Sequence, residues 1–198
     1  MTRLRPAVVR LAAVAAIGGL VFGYDIGGAG GSFVMEGFQR QFGWIDGAGN
    51  ATKTDAEIAN EAGWISSLLT LGAAAGAVPS GFLADRFGRR PCIICSAAVF
   101  IVGATMQAFS VGSPEEALSI LYIGRFVGGA GIGMLSATVP VYISEASPEH
   151  ARGMLSTLWQ LAIVVGIVIA VTEPHDSNSA PWTRRLTRLQ CAPLPHHA

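Results

Sequence analysis

The apolar positions of this chain fall in long unbroken runs, not in the alternation of a strand or the spaced stripe of a half-buried helix. Five runs stand out, at 11–35, 63–84, 92–111, 117–144 and 154–172. A helix needs about 20 apolar residues to cross a bilayer, so each run predicts one crossing helix. The second, third and fifth runs hold no charge; the first holds only Asp25 and the fourth only Arg125. The first run follows Arg3 and Arg5 as the apolar part of a signal peptide would. It continues past the length of such a region and four more runs follow, so a retained helix is the better reading.

Composition agrees with a helical membrane protein. Of 198 residues, 51% are hydrophobic and 13% charged, against about 25% charged in globular chains. The formal net charge is zero, which gives no bulk attraction to nucleic acid. Five spans and the lack of a catalytic constellation exclude a soluble enzyme. Cys92 and Cys95 form a C-x-x-C inside an apolar run, with no further ligand nearby, and read as small packing residues. No metal or cofactor is expected.

Lys and Arg concentrate on the cytoplasmic side of membrane proteins. With the N-terminus inside, that side holds Arg3, Arg5, Arg10, Arg86, Arg89, Arg90 and Arg152. The opposite loop at 36–62 holds only Arg40 and Lys53, beside Glu36, Asp46, Asp55, Glu57 and Glu61. The expected topology is therefore N-in. The outer loop also carries Asn50-Ala51-Thr52, a glycosylation sequon on a permissive side, which makes Asn50 a candidate acceptor.

Two runs share a glycine pattern: "GYDIGGAGG" from Gly23 and "GRFVGGAGIG" from Gly124. With Gly23 aligned to Gly124, Gly27, Gly28, Ala29 and Gly30 meet Gly128, Gly129, Ala130 and Gly131. The copies lie in spans one and four, which cross in opposite directions, as an inverted repeat of three-helix units requires. The bland reading of the glycines is close helix packing, and it suffices for most of them. They are no nucleotide fingerprint, because no strand precedes them. Asp25 lies roughly 15 Å and Arg125 roughly 12 Å below the outer ends of their runs, at 1.5 Å per residue. An unpaired charge at that depth costs several kcal/mol, and each group relieves the other. The pair reads either as a structural ion pair or as a proton-exchanging carboxylate tuned by an arginine; intramembrane charge favours the second. Gln160 in span five lies roughly 18 Å deep. Its amide suits either a hydroxylated solute or an interhelical hydrogen bond, and both readings stay open.

The loops on the Arg-rich side read "GFLADRFGRRP" at 81–91 and "PVYISEASPEHARG" at 140–153. Together with "GGLVFGYDIGG", "GRFVGGAGIG" and "LWQLAIVVGI", they resemble the N-terminal part of a sugar porter of the major facilitator superfamily, over about 18–170. The resemblance implies an all-α membrane fold with alternating access around a central sugar site. It implies a proton site at Asp25 with Arg125 as partner, a sugar-binding role for Gln160, and a cytoplasmic gating network of Asp85, Arg86, Arg89, Glu145 and Arg152. The partners it implies are a hexose or pentose, a proton and the bilayer, with the plasma membrane as location.

The chain departs from that pattern at its end. The family's N-terminal half has six helices, and here five runs are followed by "EPHDSNSAPWTRRLTRLQCAPLPHHA". The expectation is a truncated six-helix bundle at 1–172 and a disordered, non-native tail at 173–198. With half of the solute site lacking, the fragment is expected to be inactive alone. A facilitative or organic-acid carrier, and a non-transporting sugar sensor of the same fold, remain as alternatives.

Overall fold

The computed structural model describes residues 6–46, 50–110, 113–149 and 151–172. Arg3, Arg5 and the tail at 173–198 lie outside the described residues, so the expectations placed on them stay as such. The described chain is helical: α1 (Pro6–Ser32), α2 (Glu36–Gln41), α3 (Asp55–Phe87), α4 (Arg89–Ala108), α5 (Pro114–Ala146) and α6 (Arg152–Thr172). The five long helices take up the five apolar runs. Four of them, α3 to α6, are long and apolar enough to cross a membrane. The fifth, α1, has 27 residues, with Arg10 and Asp25 as its charges.

The boundaries differ from the runs for local reasons. Helix α3 starts at Asp55, well before the apolar run, because Thr54 and Glu57 close a capping box. The Thr54 backbone N–H donates to Glu57 Oε2 at 2.9 Å, which satisfies a donor that a helix start otherwise leaves bare. Between α3 and α4 stands only Gly88, with φ +93°, a conformation that a Cβ would strain. The described residues of the loop expected at 36–62 include α2, one bridge, Ile45 to Ala51, and the first turns of α3. Phe42 and Trp44 bury against Ile65, Ala117 and Leu121, so α2 caps one end of the bundle.

Packing divides the bundle into two parallel pairs. Helix α1 lies along α6, where a Cβ on Gly23 would collide with Ile163 O and one on Gly166 with Leu20 O. Helix α3 lies along α5, where a Cβ on Gly129 would collide with Leu69 O and one on Gly72 with Phe126 O. Helix α4 crosses the other face of α5; a Cβ on Gly131 would sit 2.6 Å from Phe100 N. Backbone-to-backbone approach of this kind is how helices associate without a hydrophobic driving force.

Candidate functional site

Asp25 projects from α1 between Gly23 and Gly27, both seated on α6. Two helical positions from Gly23 is roughly 200° around the axis, so the carboxylate leaves the face turned away from α6. Arg125 follows Gly124, which seats α5 against Gln107 of α4. Arg125 is 8% exposed, and Asp25 is half-buried. The two charges lie within electrostatic reach of each other, yet no ion pair closes between them. Asp25 Oδ2 and Arg125 Nε and Nη1 are buried without a hydrogen-bond partner among the described residues. Buried polar atoms nearly always have a partner, so three orphans of opposite charge in one bundle mark a place for water, a proton or a further group.

Gln160 is not drawn to this pair. It is exposed on α6 and makes no hydrogen bond to either charge. Its neighbour Trp159 turns inward instead and meets the backbone of α1 at Gly19. The face that carries Gln160 is thus open to whatever lies beside the bundle.

At the end opposite α2, Arg89 joins two helices. Its Nη1 pairs with Asp85 of α3, and its Nη2 and Nε reach Glu145 Oε1 and Oε2 of α5 at 3.1 and 3.3 Å. The fork geometry of a guanidinium suits this double duty. Of the five residues expected in this network, Asp85, Arg89 and Glu145 come together. Arg86 and Arg152 are exposed and form no ion pair among the described residues. Arg90, not assigned from the sequence, donates from Nε to Tyr142 Oη at 3.0 Å. Arg86 points elsewhere because, on a helix, residues one apart do not share a face.

Asn50 is exposed in the loop beside the Ile45–Ala51 bridge, and its carbonyl accepts from Asp46 N at 2.8 Å. Cys92 is buried between Ser80 O and Thr138 Oγ1, while Cys95 is exposed. Sequence reasoning passed over Gln107, whose Nε2 donates to Gly103 O and Gly124 O, both at 3.3 Å. The logic that singled out Gln160, an amide within an apolar run, applied to it equally. It also passed over Trp44, whose Nε1 donates to Glu61 Oε2 at 2.7 Å while Lys53 Nζ holds Oε1 at 2.6 Å. No local spacing announces that bond.

Comparison with known proteins gives a consistent result. The family model described as "Sugar (and other) transporter" matches residues 11–174. A D-xylose transporter of Levilactobacillus brevis is 38% identical over 156 residues, covering 78% of this chain and 30% of that protein. A probable glucose transporter of Neurospora crassa is 36% identical over 157 residues, with 78% and 25% covered. An inositol transporter of Arabidopsis thaliana is 36% identical over 165 residues, with 81% and 25% covered. The chain thus spans about a quarter to a third of the length of these relatives. Among solved structures, a proton:xylose symporter of the major facilitator superfamily superposes with a TM-score of 0.71 at 23% identity, over 93% of this chain and 42% of that one. The inward-open xylose transporter of E. coli gives 0.68 at 24% identity, with 93% and 45% covered. At that identity the likeness is one of fold.

Proposed function

The chain belongs to the sugar (and other) transporter family of the major facilitator superfamily, and on that premise we propose that it forms part of the N-terminal half of a sugar–proton symporter. The observation that carries the reading is the orphaned pair: a carboxylate and a guanidinium held among apolar helices, in reach of each other and unjoined. A carboxylate in that setting exchanges a proton with a moderate change in its surroundings, and the arginine sets how readily it does so. The relatives named for xylose and glucose support a pentose or hexose as cargo.

In this reading Asp25 binds the coupling proton and Arg125 tunes it. Gln160, exposed on α6, offers its amide to the sugar from one side of a site shared with a second half. Asp85, Arg89 and Glu145 form a latch that ties α3 and α4 to α5, with Arg86 and Arg152 engaging in the opposite state of the cycle. The N-terminus is cytoplasmic in the plasma membrane, and Asn50 is an external glycan acceptor whose loss in Asn50→Gln removes an endoglycosidase-sensitive band shift. Residues 1–198 present one face of the solute site and do not transport alone. Uptake of labelled xylose and glucose into proteoliposomes holding the whole transporter, with and without an imposed proton gradient, tests the proposal. Uphill uptake driven by the gradient supports symport. Equal counterflow with no response to the gradient sinks it in favour of a facilitative carrier.

A further inference from the structure

Gln107 of α4 and Arg125 of α5 line one cavity, of about 260 Å³. The Gln107 side chain lies on the small face of α5. A Cβ on Gly124 would stand 2.9 Å from its Cγ, and one on Gly128 3.2 Å from its Nε2. Its Nε2 donates to Gly103 O and Gly124 O, both at 3.3 Å. Two carbonyls on one side fix the turn of the amide, because only its nitrogen end can donate to them. Its Oε1 is then left with no donor among the described residues. Arg125, the residue after Gly124, leaves α5 about 100° further round the axis. It is 8% exposed, and its Nε and Nη1 have no acceptor. A bare acceptor and two bare donors thus face one space, borne by a side chain that touches Gly124 and by the residue next to it. Gln41 lines the same space but is tied to Ser110 O at the end of α4, away from Gly124.

We propose that Gln107 is a positioning residue for Arg125: its Nε2 holds α5 at Gly124, and its Oε1 is the acceptor that the guanidinium takes when Asp25 is neutral. The inference rests on the reading of Asp25 as the proton site. While Asp25 is charged, its field holds the guanidinium toward α1. Once Asp25 is neutral that pull is gone, and a cation among apolar helices needs another acceptor. Arg125 keeps its own protons and changes only its partner. An acceptor available in that state favours neutral Asp25, so Gln107 helps to set the pH at which Asp25 loads. The other charges on the elements around Gln107 sit at the ends of the bundle. Arg89 and Arg90 begin α4 at the far end, and Glu115 and Glu116 stand in the first turn of α5. Glu36 pairs with Arg40 on α2, Glu61 of α3 pairs with Lys53, and Asp55 and Glu57 open α3.

Two measurements on the whole transporter test this. The first needs no transport: thermal unfolding in detergent micelles of Gln107→Met, alone and combined with Asp25→Asn. Methionine fills the place of the amide but offers no donor and only a weak acceptor. Arg125 leans on Gln107 when residue 25 is neutral, so Gln107→Met should lower the melting temperature at least about twice as far in the Asp25→Asn background. An equal drop in both backgrounds makes Gln107 a packing residue and overturns the proposal. The second is the pH of half-maximal uptake of labelled xylose and glucose into proteoliposomes. Gln107→Met should move it toward acid by at least about 0.5 unit, because neutral Asp25 loses its support. Gln107→Glu should move it toward alkali, because the new carboxylate draws Arg125 from Asp25 and adds a like charge. A packing role moves both variants the same way or neither, and either result overturns the proposal. Uptake by the unsubstituted transporter that ignores pH, with the twofold difference in unfolding intact, defeats the symport reading alone. Proton-driven uptake with equal unfolding losses defeats the Gln107 assignment alone.

Discussion

Gly23 of α1 and Gly129 of α5 hold the same place in two oppositely directed helix pairs. Gly23 meets Ile163 O of α6, and Gly129 meets Leu69 O of α3. One turn on, Gly27 meets Ile167 O and Gly133 meets Ala73 O. From the other side, Gly166 of α6 meets Leu20 O and Gly72 of α3 meets Phe126 O, in the same register. The inverted repeat is therefore present in the packing, but its register pairs Gly23 with Gly129 and not with Gly124. Arg125 then corresponds to Gly19, and Asp25 to Gly131. The two charges do not replace one another at a single repeated position.

These contacts give a sharp stability test. Gly133→Ala drives a methyl into Ala73 O, a backbone atom that cannot swing aside, and should cost roughly 1–3 kcal/mol. Gly18→Ala meets nothing within 4 Å and should be neutral or slightly stabilising, since Ala is the better helix former. Unfolding in mixed detergent micelles measures both; equal losses would show that α3 and α5 are not packed as described.

Asp25→Asn should abolish gradient-driven accumulation in the whole transporter and spare exchange of sugar across a membrane without a gradient. The amide keeps the shape of the carboxyl group and, like its protonated form, offers an acceptor and a donor, but it carries no titrating proton. Accumulation against a gradient by the variant would remove Asp25 from the coupling role.

Asp25 and Arg125 should couple without being a closed ion pair. Asp25→Asn and Arg125→Gln, singly and together, should show a coupling energy of about 0.5–3 kcal/mol in unfolding experiments. Each single change leaves the other charge buried beside a neutral partner, which is where the loss arises. Strictly additive losses would mean that the two charges do not sense each other.

The latch at the opposite end should depend on Arg89 and not on Arg86. Exposed charge pairs weaken in salt, because screening acts fully on groups open to solvent. The thermal denaturation midpoint of the unsubstituted chain should thus fall with rising salt through this latch, and Arg89→Ala should flatten that dependence. Arg86→Ala should leave it unchanged, and a like effect of the two substitutions would count against the geometry at Asp85 and Glu145.

The spans and the two lone charges were legible in the sequence because each rests on a property that needs no partner. A run of apolar residues partitions into lipid whatever it packs against, and a charge inside such a run stands out by contrast alone. The repeat was half legible. Glycine spacing reveals that helices approach closely, but any of several glycines in Gly124, Gly128, Gly129, Gly131 and Gly133 satisfies the pattern. Only the opposing backbone decides which ones face α3 and which face α4. The latch was likewise narrowed by geometry: five charges share one end of the bundle, and helical phase brings Asp85, Arg89 and Glu145 together while Arg86 turns away. The cap over the α2 end and the bond from Trp44 to Glu61 had no local signal at all. They join residues far apart in the chain, and what brings those residues together is the burial of Phe42, Trp44, Ile65 and Leu121, which the folded bundle alone makes available.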